Sequence, residues 1–132
     1  MTDADLIQRY FDAFNAGDAD GMAALVADDV THYPNQGEIR TGKDAFRAFL
    51  AEMDSAYREE ARDLVILTGP AGRVAAEFVI HGEYLQSQAG LPEATGQAYV
   101  LPVGSFFDVT DDRITRITTY YNLKDWLRQV SG

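Results

Sequence analysis

Histidine is scarce in this chain, and one of its two copies stands in "THYPNQG" (Thr31 to Gly37). With an unperturbed pKa near ~6.5, His32 is the residue best suited to move a proton at neutral pH. Asn35 and Gln36, just beyond it, are neutral groups able to donate a hydrogen bond to the same ligand. Side chains alternate along an extended segment, so the register of that segment decides whether His32 faces inward. The second histidine, His81, lies in "EFVIHGEYL". There the alternation sets Phe78, Ile80, Gly82 and Tyr84 on one face and Glu77, His81 and Glu83 on the other. His81 is therefore read as structural or as part of an interface, with neighbouring carboxylates that favour its charged form. The chain has no cysteine, which excludes disulfides and thiolate chemistry. Two histidines far apart in sequence make a poor metal site, so neither a metal nor a cofactor is expected. The acidic runs "ADD" and "REEARD" are read as solvated faces.

Those groups need a folded scaffold, and the composition supplies one. The chain has 132 residues, 46% of them hydrophobic, with seven Phe, seven Tyr and a single Trp. That is enough for one domain, residues 1–132, with one core. A formal charge of -10 opposes binding to nucleic acid, which needs clustered Lys and Arg, and equally opposes docking on an anionic membrane. No segment approaches the ~18 consecutive apolar residues of a membrane span. The opening "MTDADLIQRY" has neither a basic nor an apolar leader region, so a cytoplasmic location is expected.

The elements follow from periodicity. Thr2 can cap a helix with Leu6, Ile7, Tyr10, Phe11 and Phe14 on one stripe, and "NAGD" stops it. Asp18 caps a short second helix, and "DDVTHYP" reads as extended. Thr41, with Asp44 three residues on, looks like the start of a third helix carrying Phe46, Phe49, Leu50 and Met53 at helical spacing. The period then changes to two. "RDLVILTG", "RVAAEFVIHGEYL", "QAYVLPVGSFFDV" and "RITRITTYYN" read as four strands of an antiparallel meander. Asn122 can cap a terminal helix, "LKDWLRQV". The fold class is α+β.

The stretch "QRYFDAFNAGDADGMAALVADDV" resembles the opening of the NTF2-like superfamily, in its ketosteroid isomerase branch. "LPVGSFFDVTDDRITRITTYYNLKDW" resembles the closing hairpin of the SnoaL-like members, so the resemblance spans essentially the whole chain. It implies a cone, in which a curved, mostly antiparallel sheet wraps around three N-terminal helices and encloses an apolar pocket. It also implies a role for Tyr10, as the tyrosine that donates to a developing enolate oxygen. The family's second oxyanion donor, an aspartate, maps to Gly104. Its general base, another aspartate, maps to Tyr33 or Pro34. Neither carboxylate is present. An Asp-Arg-Asp set of the epoxide-hydrolase type has no counterpart.

His32, one or two residues from the lost base, is the replacement proton carrier if Pro34 holds the base position, and points outward if Tyr33 does. On the last strand the resemblance turns Ile117, Thr119 and Tyr121 inward, which makes Tyr121 a second proton donor. Asn35 is expected to orient the His32 ring or to donate to the ligand. Phe14, Tyr33, Phe49, Met53, Phe78, Ile80, Tyr84 and Phe106 complete the expected pocket, with Tyr57 and Trp126 as candidates for its mouth. The convex sheet face is expected to carry Glu77, His81, Tyr99, Leu101, Val103 and Tyr120, a mixture too apolar for free exposure, so a homodimer through that face is expected. Two functions fit. One is a cofactor-free isomerase, cyclase or dehydratase that removes a proton beside the carbonyl of a hydrophobic small molecule. The other is a module that binds such a ligand, or a protein, without chemistry.

Overall fold

The computed structural model describes residues 1–35 and 37–131. Helix α1 (Asp3–Asn15) starts at a capping box: Thr2 Oγ1 accepts from the Asp5 N–H at 3.1 Å, and Asp5 Oδ2 accepts from the Thr2 N–H at 3.1 Å. It buries Leu6, Ile7, Tyr10 and Phe11, the expected stripe. Gly17, at φ +68°, turns the chain into the short α2 (Ala19–Ala23), capped by Asp18. Strand β1 (Val26–Pro34) and the two-residue β2 (Arg40–Thr41) lead to α3 (Lys43–Ala56). Four longer elements follow: β3 (Tyr57–Thr68), β4 (Arg73–Tyr84), β5 (Gln97–Thr110) and β6 (Arg113–Tyr121), and then α4 (Leu123–Val130).

The strands form one curved open sheet in the order β2-β1-β6-β5-β4-β3. All neighbours are antiparallel except β1 and β6, which run parallel. With α1 to α3 on the inner side, this is an NTF2-like cone. Asp111 and Asp112 both have positive φ, as the mirror-image turn of a tight hairpin requires, and close β5 onto β6. No helix is long and apolar enough to cross a membrane among the described residues.

Two expected boundaries move. Thr41 does not cap α3. It is paired with Thr31 in the β1–β2 ladder, and Gly42 is the N-cap at φ +98°, with no side-chain bond. Strand β3 starts at Tyr57, directly after α3, rather than at "RDLVILTG", so the run "REEARD" is strand and not merely a solvated face. A bulge between Arg62 and Val65, with Asp63 at φ +56°, resets its phase midway.

Two side chains lock the layers together. Asn15, the last residue of α1, grips the Ala61 backbone on β3, donating to its carbonyl at 3.0 Å and accepting from its N–H at 2.8 Å. Gln129 on α4 does the same to Val100, at 2.8 Å both ways, where β5 has run past the end of β6. Helix α4 is thereby fastened to β5.

Candidate active site

The inner face of the sheet and the three N-terminal helices enclose a mainly apolar cavity of about 250 Å³. Helix α1 contributes Tyr10, Phe11 and Phe14 to its wall, and α3 contributes Phe49, Leu50 and Met53. The register decides the rest. In β1 and β6, His32 stands beside Ile117 and Pro34 beside Thr119, so both β1 residues face inward. Thr119 lies opposite Ser105, and Tyr121 opposite Val103, which is itself opposite Phe78. Ile80, Ile117, Thr119 and Tyr121 all line the cavity, as do Tyr57 and Trp126 near its α4 end. Ser105 and Thr119 share a hydrogen bond of 3.1 Å between their hydroxyls.

Four expected site residues do not line the cavity. Tyr33 lies on the opposite face from His32, with the Arg116 guanidinium 5.6 Å from its ring centroid. Phe106 is 41% exposed and packs its edge against Tyr120 on the outside. Tyr84 is fully buried behind Tyr57, stacked on it at 5.5 Å, and its hydroxyl organises the following loop by donating to the Pro92 carbonyl and accepting from the Gln88 N–H. Asn35, at φ +46°, accepts from the Tyr121 N–H at 2.9 Å and donates its own N–H to the Thr119 carbonyl at 2.7 Å. It holds the end of β6 in place. Gln36 lies outside the described residues.

The convex-face expectation also fails for three residues. Tyr99, Leu101 and Val103 are buried, because odd-numbered residues of β5 pair with the inward even-numbered residues of β4. A one-residue error of phase exchanges the faces of a whole strand. For the same reason Gly104 faces outward, and the inward positions beside it are Val103 and Ser105.

His32 is only 4% exposed, with its ring edge-on to Phe49 at 4.6 Å and to Phe46 at 5.5 Å. Among the described residues its sealed-off Nδ1 has no partner, so the other ring nitrogen is the one a ligand can reach. Burial, and then the charge of Arg40, hold its pKa down at about 4, which makes it a neutral imidazole at neutral pH. Arg40 sits opposite His32 on β2, stacks over Phe49 at 5.1 Å and meets Glu52 at 3.6 Å. Burial pushes the Tyr10 phenol well up from its usual value. Burial and then the Glu59 charge raise that of Tyr121, against a hydrogen bond with Asn35. Tyr57 is pushed up to about 12, mainly by burial. These phenols stay protonated and are donors.

The sequence reading missed Glu59. It points inward from β3, lines the cavity and accepts a hydrogen bond from the Tyr99 hydroxyl at 2.5 Å. Glu59, Gly82 and Tyr99 form one row across β3, β4 and β5. The Tyr99 ring lies over Gly82, where a Cβ would come within 2.4 Å of it, and so reaches the carboxylate on the far strand. Glycine is needed there for the close approach. Burial raises the Glu59 pKa, partly opposed by the Tyr99 bond. Two signals were available in the sequence: the period-two series Tyr57, Glu59, Ala61, and a glycine in the middle of a strand. A second, more polar hollow of about 420 Å³ adjoins the cavity between the end of α1 and α3 and shares Glu59, Tyr57 and Met53 with it. Among the described residues no three metal-ligating side chains converge.

The model of the SnoaL-like domain family matches residues 7–117. The chain belongs to the SnoaL-like family. Three solved structures of similar proteins, each a candidate polyketide cyclase, match it along almost its whole length. The protein from Silicibacter is 57% identical, covering 97% of this chain and 94% of its own, with a TM-score of 0.95. That from Xanthomonas campestris is 51% identical over 98% and 96%, with a TM-score of 0.94. That from Pseudomonas putida is 48% identical over 99% of both, with a TM-score of 0.97. More distant structures, an NTF2-like protein and one with a ketosteroid isomerase-like fold, share this SnoaL-like architecture at 16% and 19% identity.

Proposed function

We propose that this SnoaL-like protein is a cofactor-free enzyme that removes a proton beside the carbonyl of a hydrophobic small molecule. Isomerisation, aldol-type cyclisation and dehydration all begin with that step. The candidate cyclases among its relatives favour aldol-type ring closure of a compound with several carbonyls. One observation carries the reading: two phenols that remain protonated, Tyr10 and Tyr121, line one apolar cavity. A neutral donor strengthens its hydrogen bond as charge develops on a carbonyl oxygen, and a dry wall enlarges that gain. His32 adds a neutral imidazole, with one nitrogen free for the ligand. The acidic, cysteine-free sequence supports a cytoplasmic location.

A binding module is the second reading. Its support is that neither carboxylate of the ketosteroid isomerases has a counterpart at Pro34 or beside Gly104. Two probes separate the readings. 2-Tetralone in D₂O reports proton abstraction through deuterium exchange next to its carbonyl, and 2-naphthol, shaped like its enol, reports binding. Catalysis predicts protein-dependent exchange that falls in Tyr10→Phe and Tyr121→Phe. Naphthol binding with no exchange above buffer would leave only the module.

The same reading extends to assembly. Val65, Leu67, Val100, Phe106 and Tyr120 are exposed apolar side chains of the outer sheet face. Pairing two copies through that face covers them, and a homodimer is the proposed state.

A further inference from the structure

Among the described residues that line the cavity, Glu59 is the one acid. Glu59 is half-buried, in a cavity lined mainly by aromatic and aliphatic groups. Among the described residues no Lys, Arg or His forms an ion pair with it. Its strand neighbours Arg58 and Arg62 turn outward to Glu83 and Glu60. A carboxylate kept from water without a cation is costly to the fold, and structural carboxylates are ordinarily paired. Oε2 is committed to the Tyr99 hydroxyl. Among the described residues Oε1 accepts no hydrogen bond, yet it is not sealed within the protein.

From this geometry we infer that Glu59 is the catalytic residue that takes the proton, with Tyr99 as the residue that positions it. The inference rests on the proton-abstraction reading above. Oε1 removes the proton from the carbon next to the carbonyl. The C–H pair becomes the carbon–carbon double bond of the enolate, and the carbonyl π pair moves to oxygen, where Tyr10 or Tyr121 donates to it. Glu59, now a carboxylic acid, returns the proton at the same or another carbon, so the step is redox-neutral and needs no other reactant. Tyr99 keeps the carboxylate from rotating away by holding Oε2, and Gly82 lets its ring lie flat enough to do so. The titratable groups around the carboxylate are Tyr99 on β5, Tyr121 on β6 and Tyr57 on its own strand. Asp54 on α3 and Arg58 line the adjoining hollow. His32 is the alternative carrier, and the test separates the two.

The test measures deuterium exchange of 2-tetralone and binding of 2-naphthol on the full chain. Glu59→Gln keeps the size and the acceptor for Tyr99. It should lose about 10²–10⁴ in exchange rate while binding naphthol within a few-fold of the parent. Exchange within threefold of the parent would overturn the role, and so would loss of naphthol binding together with exchange, which would make Glu59 an anchor. Exchange lost in His32→Gln but kept in Glu59→Gln would transfer the role to His32. Tyr99→Phe removes a bond that stabilises the ionised carboxylate, so the acid limb of its pH–rate profile should move up by about one unit. An unmoved limb would remove the positioning role. A parent protein that neither binds naphthol nor exchanges tetralone refutes the broader reading instead.

Discussion

His32 should make the fold sensitive to mild acid, by an amount that can be worked from its surroundings. In the unfolded chain its pKa is 6.5, and in the folded protein burial and Arg40 hold it at about 4. A histidine with a depressed folded value binds its proton more readily when unfolded. Stability is therefore complete above about pH 6.5 and is lost as the pH falls towards 4. Around pH 5 the unfolded imidazole is mostly charged and the folded one mostly neutral, a linkage loss of about 2 kcal/mol relative to pH 7.5. In a chain of this size that is roughly 6–10 °C in melting temperature. His32→Phe keeps a flat ring between Phe46 and Phe49, removes an unbonded buried nitrogen, and cannot titrate. Melting both proteins at the two pH values isolates the histidine, because every other group titrates in both. The parent should lose about 2 kcal/mol more than the variant on acidification. Parallel losses would refute the claim that His32 is held neutral by burial.

Three further outcomes follow from the same geometry. Gly82→Ala places a Cβ against the Tyr99 ring and should cost about 1–3 kcal/mol in urea unfolding. That cost should largely vanish in a Tyr99→Ala background, and equal costs in both backgrounds would deny the contact. Glu59→Gln should raise the melting temperature at neutral pH, because burial raises the folded pKa of the parent carboxyl. The parent then gains stability as the pH falls through that value, so the advantage of the variant should shrink in acid; a constant difference across pH would contradict it. Phe106→Glu, on the outer face, should convert a dimer to monomer in sedimentation at micromolar protein without loss of fold, and a parent that sediments as a monomer would end the dimer proposal.

Much of this architecture is written locally. The α1 stripe from Leu6 to Phe14 and the Thr2 cap need only neighbours three and four residues apart, and both stand as read. Alternation along β6 groups Ile117, Thr119 and Tyr121 on one face, and the resemblance to the family turned that face inward, where the structure has it. What a single strand cannot specify is the phase of its partner. Tyr99, Leu101 and Val103 look like an outer face until the pairing with Gly82, Ile80 and Phe78 turns them inward and Phe106 out. The same long-range pairing decides that His32, beside Ile117, faces the cavity and Tyr33 does not. Glu59 was the hardest to see, because a charged run in isolation is best solvated. Only the abrupt passage from α3 into β3, the Asn15 clamp on Ala61 and the bare backbone at Gly82 bring that carboxylate inside and supply Tyr99 to hold it. Helix stripes and strand alternation are short-range consequences of backbone geometry, and the chain carries them in its order. Which groups meet across a sheet depends on register between distant segments, set by the packing of the whole core.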